Sequence, residues 1–138
     1  MTARLTIAYD GSQRAATAVR AAAELFPGAQ ASIVTVPSPT PAYAAAASRW
    51  MINVSPEVVE RALEEITAEE RAEAEAIAKE GAARANAEGL KAEATVPAPH
   101  DPAWEALLEA AREQKADALV CGARGRGAFA RTLLGSTS

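Results

Sequence analysis

The sequence predicts an α/β fold, a parallel sheet with helices on both faces in three layers, and three observations carry that prediction. Four short, β-rich segments alternate with helix-like segments, and such alternation makes parallel βαβ units. Glycine, proline and aspartate punctuate most of the junctions. Hydrophobic residues are 49% of the chain and aromatics only 4%, so Ala, Val, Leu and Ile must build the core. Small side chains of that kind suit helices packed closely on a sheet. The 138 residues predict a single domain with no internal repeat.

Leu5-Thr-Ile-Ala-Tyr9 reads as the first strand, ended by the turn signal Asp10-Gly11-Ser12. A helix follows from about Gln13 to Phe26, with Ala15, Ala18, Val19, Ala22 and Leu25 on one face, and Pro27-Gly28 stops it. Ala31 to Val36 is the second strand, ended by Pro37. The stretch Pro37 to Val54 holds three prolines, an alanine run and Trp50, and reads as a long loop, either a lid and contact surface or a plain surface loop. Ser55-Pro56-Glu57 starts the second helix with a hydroxyl N-cap, a first-position proline and an acid at the positive helix end.

From there Val59, Leu63, Ile66, Ala74 and Ile77 keep one apolar face until Gly89 closes the helix. The dense glutamates fall largely on the other face and read as a solvated surface. Leu90 to Val96 is a third strand, less hydrophobic and expected at an edge. Asp101-Pro102 opens a third helix as N-cap and first-position proline, with Trp104, Leu107, Leu108 and Ala111 on one face. Ala118 to Cys121 is the fourth strand, and a helical pattern recurs from Ala128 to Leu134.

Composition narrows the function. The formal charge of −4 is the wrong sign for a general nucleic-acid surface. No run of about 18 apolar residues spans a membrane, and the first residues lack a signal-peptide core. A single cysteine leaves no internal disulfide, so a cytoplasmic protein is expected. Cys121 reads as a small core residue and Trp104 as packing. His100 has no second His or Cys beside it, which argues against zinc.

Parallel sheets bind ligands beyond the carboxyl ends of their strands, where strand order reverses. Three strand ends are distinctive here: Asp10-Gly11-Ser12, Thr35-Val36-Pro37 and Gly122-Ala-Arg-Gly125. If strands one and four are neighbours, Asp10 and Gly122 face each other across that crevice. Glycines admit a close ligand, successive amides cradle an anion, and Arg124, Arg126 and Arg131 add positive charge, which together suit phosphate. The pattern is neither a Walker A loop nor the Gly-x-Gly-x-x-Gly fingerprint, since residue 130 is alanine. Asp10 also stands at capping-box spacing from Gln13, so it has a helix-capping reading as well.

The spacing Gly122-x2-Gly125-x9-Gly135-Ser136 resembles the nucleotide-binding signature of the universal stress protein family. Leu5 to Ser12 resembles that family's first strand, Pro102 to Ala111 its third helix, and Ala116 to Gly122 its fourth strand. The resemblance implies a parallel sheet of order 3-2-1-4-5 and a site for ATP, with AMP or another adenine nucleotide as the alternative and room for Mg²⁺. It places Asp10 against the adenosine and Val34, Thr35 or Val36 beside the base. Gly122, Gly125, Gly135, Ser136 and Thr137 hold ribose and phosphates, Arg124 supplies a basic side chain, and Ala8 and Cys121 complete the implied set. A nucleotide-dependent stress-response sensor or regulator, homodimeric, is the expected function. A non-nucleotide dimerisation module of the same fold and a slow nucleotide hydrolase are the alternatives. No base and nucleophile pair suggests turnover. The sequence departs from the family at His100, where a glycine is common, and it ends at Ser138, so the fifth strand is expected to be missing.

Overall fold

The computed structural model of the chain describes residues 2–37, 55–100 and 102–122. Its elements are β1 (Arg4–Ala8), α1 (Gln13–Leu25), β2 (Gln30–Val34), α2 (Pro56–Ala87), β3 (Lys91–Thr95), α3 (Ala103–Glu113) and β4 (Ala118–Val120). All pairings are parallel and the strand order is β3-β2-β1-β4. The chain thus reverses direction across the sheet between β3 and β4, and the β1–β4 neighbourhood expected of the sequence is present. Most of the loop from Pro37 to Val54, the helical pattern at 128–134 and everything else after Gly122 lie outside the described residues.

The alternation of side chains along a strand divides the core in two. Leu5, Ile7 and Tyr9 of the first strand and Ala31 and Ile33 of β2 point to the face covered by α1 and α2. Val34 points to the other face, where Leu107 and Ala110 of α3 meet it. That division is the three-layer α/β/α arrangement.

The long helix α2 runs 32 residues, roughly 48 Å at about 1.5 Å per residue, against strands of about 17 Å. Only its C-terminal half packs on the sheet, through Ala74, Ala78, Gly81, Ala82 and Ala85. The predicted apolar face is present along the helix but less covered over its first half, where Val59, Leu63 and Ile66 are half-buried among mostly exposed neighbours. Periodicity marks a helix face, but sheet length sets how much of it is covered. The contact is close because the stripe is small. A Cβ on Gly81 would lie 2.6 Å from Tyr9 Cδ1 and 2.8 Å from Ile33 Cγ2. The Tyr9 hydroxyl beneath is buried without a hydrogen bond of normal length. Burial raises its pKa most, with Arg84 and Glu80 near enough to act on it.

Helix ends follow the sequence signals with two corrections. Gly89, at φ +98°, closes α2 as a Schellman motif: Leu90 N–H donates to the Ala85 carbonyl at 3.0 Å and Gly89 N–H to that of Asn86 at 3.1 Å. Ser55 is the N-cap of α2 with Pro56 behind it, but its hydroxyl makes no capping bond. In α3 the N-cap is Pro102 itself, in extended geometry, rather than Asp101, which lies outside the described residues. Pro102 fits there because its missing N–H forfeits no helical bond.

Candidate functional site

The carboxyl ends of β1, β2 and β4 converge on one cavity of about 310 Å³. At the end of β1 the chain turns through Asp10, whose Oδ1 accepts the Ser12 N–H at 2.9 Å. Gly11 completes that turn at φ +81°, a conformation that favours glycine. Ser12, not Asp10, caps α1: its hydroxyl oxygen accepts the Ala15 N–H at 3.1 Å. The capping-box reading of Asp10 is corrected accordingly. The Asp10 carboxylate is exposed at the cavity and folds the turn that aims α1 at it.

The end of β2 is pinned to β1 beyond the ladder. Tyr9 N–H donates to the Val34 carbonyl at 2.9 Å, and the buried Thr35 hydroxyl donates to the Tyr9 carbonyl at 2.8 Å. Thr35 spends its hydroxyl on the backbone, which leaves Val34 and Val36 as the apolar lining of that strand end. On the other side, Cys121 and Gly122 continue β4 past α1. A Cβ on Gly122 would lie 3.3 Å from Arg14 Cβ and 3.4 Å from the Arg14 backbone. Glycine at 122 thus lets the strand end press against the first turn of α1. Burial raises the pKa of the Cys121 thiol, so the site does not activate it.

The cavity lining combines two chemistries, and Val34 and Leu107 pack together with Ala8 and Val36. Ala8, Val34, Val36, Ala103 and Leu107 form an apolar side, and Asp10, Ser12 and Arg14 with the Gly122 backbone form a polar one. An apolar wall with a few converging polar groups is the usual build of a small-molecule site. Among the described residues no three His, Cys, Asp or Glu side chains group as metal ligands. Among the described residues, Asp10 is the one carboxylate that lines the cavity.

Of the sequence-predicted residues, the structure brings together Ala8, Asp10, Val36, Cys121 and Gly122, with Val34 and Thr35. Arg124, Gly125, Gly135, Ser136 and Thr137 lie outside the described residues, as do Arg126 and Arg131. His100 is not at the cavity; it is exposed and its Nε2 is 2.6 Å from Glu105 Oε2. Sequence reasoning named Ser12 only within the strand-end turn, and did not place Arg14, Ala103 or Leu107 at the site. Ser12 and Arg14 stand in the opening turn of the helix that begins at the site, a signal that was available. The α3 pair was visible only as a helix face, since nothing local says which strand end α3 reaches.

The universal stress protein family model matches residues 1–138. The chain belongs to the universal stress protein family. Solved structures agree with the fold. Protein Rv1636 from Mycobacterium tuberculosis is 23% identical, with 99% of this chain and 85% of that one covered and a TM-score of 0.55. A universal stress protein family member from Burkholderia pseudomallei is 23% identical, covering 98% and 89%, with a TM-score of 0.57. A universal stress protein solved in complex with cAMP is 27% identical, covering 96% and 82%, with a TM-score of 0.51. No curated protein matches the sequence. As in the sequence reading, no described helix of this universal stress protein is long and apolar enough to cross a membrane.

Proposed function

We propose that the cavity is an adenine-nucleotide site and that the protein is a nucleotide-dependent regulator of the universal stress type, with ATP as first ligand and AMP or cyclic AMP as the alternatives. One observation carries the reading: Asp10, Val36 and Gly122, residues 26 and 86 positions apart in sequence, meet in one cavity at the switch point of a parallel sheet. The cAMP complex of a related universal stress protein supports the ligand class. The apolar side takes the base, and Asp10 hydrogen-bonds the ribose hydroxyls. A volume of about 310 Å³ stands at the lower end of small-molecule sites, which span about 300–1,000 Å³. It suits the nucleoside part of the ligand.

The phosphates then extend to Arg124, Gly125, Gly135, Ser136 and Thr137, the residues that the resemblance to the family's nucleotide signature implies. With Asp10 the one carboxylate among the described lining residues, a Mg²⁺ ion would take most of its ligands from the nucleotide's own phosphates, as is common for Mg²⁺. We read the cavity as a binding site, since among the described residues its lining joins no base to a nucleophile. The family further leads us to place the protein as a cytoplasmic homodimer.

Calorimetric titration with ATP, AMP and cAMP tests the reading. Binding of at least one, weakened tenfold or more by Asp10→Ala with the circular dichroism spectrum unchanged, is the expected result. Absence of heat with all three nucleotides, or Asp10→Ala binding like the wild type, rejects the site.

A further inference from the structure

The outer edge of β3 is closed at Ala92. In its parallel pairing with β2, the Lys91 N–H donates to the Ala29 carbonyl at 2.9 Å and the Thr95 carbonyl accepts the Thr35 N–H at 3.2 Å. Residues 91, 93 and 95 therefore turn their peptide groups inward, and Ala92 and Ala94 turn theirs outward. An outward row of this kind is a template for another strand. Asn86, the penultimate residue of α2, reaches back across the turn to occupy it. Its Nδ2 donates to the Ala92 carbonyl at 3.1 Å, and its Oδ1 accepts the Ala92 N–H at 2.9 Å. A carboxamide carries a donor and an acceptor like a peptide unit, so Ala92 is bonded as if a neighbouring strand were present.

The charge pattern distinguishes the registers in which a further strand could pair here. Consider a second copy pairing its β3 antiparallel to this one through outward-facing residues. Pairing Ala92 with Ala94 of the copy sets Glu93 opposite Glu93, which repels. Pairing Ala94 with Ala94 sets Glu93 against Thr95 and gains no ion pair. Pairing Ala92 with Ala92 sets Lys91 opposite Glu93 on both sides of the two-fold, a self-complementary register. That one charge-matched register needs the Ala92 N–H and C=O, the groups Asn86 holds.

We propose that Asn86 closes the β3 edge to a second copy of the chain, and that its removal exposes a latent two-fold strand-pairing surface centred on Ala92. The proposal is independent of what the cavity binds. Sedimentation of the full chain over a wide concentration range tests it. Asn86→Ala is expected to reach a mass twice that of the wild type with rising concentration. Adding Lys91→Glu abolishes this association, and adding Glu93→Lys as well, which reverses both charges, restores it. An Asn86→Ala protein that keeps its fold and the wild-type mass throughout overturns the proposal, as does association indifferent to Lys91→Glu. Should Asn86→Ala fail to fold, hydrogen exchange of the wild type decides. The Ala92 amide is expected to exchange as slowly as the inward-bonded Glu93 amide. Exchange at the rate of an open edge shows that Asn86 does not seal it.

Discussion

On the face of the sheet under α1 and α2, Leu5, Ile7, Ala31 and Ile33 meet a stripe of alanines and Gly81, and the contact is nearly all hydrocarbon. On the face under α3 the sheet is polar at its centre. The Thr6 hydroxyl donates to Gln114 Oε1 at 3.0 Å, Gln114 Nε2 donates to Ser32 Oγ at 2.9 Å, and Ser32 Oγ lies 2.7 Å from Thr95 Oγ1. This chain of side chains joins β1, β2 and β3 to the C-cap of α3. Hydrocarbon burial is strong but directionless; hydrogen bonds are weak in net terms but fix position. The first face accordingly holds the fold together, and the second sets where α3, which carries Ala103 and Leu107, stands over the cavity.

Two adjacent residues separate these roles. Ile33 and Val34 are both buried but point to opposite faces. Ile33→Ala leaves a cavity against Gly81 and Tyr9 and is expected to cost about 2–5 kcal/mol in urea unfolding. Nucleotide affinity of the folded protein should stay at the wild-type level, because Ile33 does not line the site. Val34→Ala should cost less stability and weaken binding as well, since Val34 lines the apolar side. If Ile33→Ala lowers affinity as much as Val34→Ala does, the division between the faces is wrong.

The next effect is smaller and falls on the polar face. Gln114→Leu keeps most of the side-chain volume but strips the partner from Thr6, which is fully buried. An unsatisfied buried hydroxyl costs about 1–3 kcal/mol, and the half-exposed Gln114 position puts the expected loss near the lower bound. Affinity should fall with it, as α3 loses the bond that pins its end. Gln114→Glu retains an acceptor for Thr6 while losing the donor to Ser32, so it should lie between. Thermal unfolding and titration of the three proteins give the order directly.

The two faces were not equally legible in the sequence. The hydrocarbon face announced itself through alternation in Leu5 to Tyr9 and the alanine periodicity of α1, because both signals are local. Strand order is legible only through the family resemblance, and it is the observed pairing of β1 with β4 that puts Asp10, Val36 and Gly122 at one crevice. The polar chain left no trace, since it links residues 108 and 82 positions apart whose spacing carries no period. Local signals also misassigned two caps. Asp10 and Ser12 are both good capping residues, and only the turn at Gly11 decides that Ser12 takes the role. Val59, Leu63 and Ile66 kept helical spacing beyond the point where the sheet ends.

Cys121 marks the boundary between fold and site, and it yields the finest test, with no change in stability at all. It is the single cysteine of the chain, so any thiol signal is its own. It lines the cavity, and burial raises its pKa by disfavouring the thiolate. Alkylation proceeds through the thiolate. Iodoacetamide should therefore react more slowly than with a cysteine peptide near neutral pH, and the rate should still be climbing at a pH where the peptide's has levelled off. A rate that levels at or below the peptide's pH contradicts burial as the controlling force. Saturating ATP adds the second reading. A nucleotide lying across the ends of β1 and β4 covers the sulfur and slows alkylation further, whereas a ligand held elsewhere leaves the rate untouched. Protection by ATP in the wild type that disappears in Asp10→Ala would tie Cys121 and Asp10 to one site from opposite ends of the described chain.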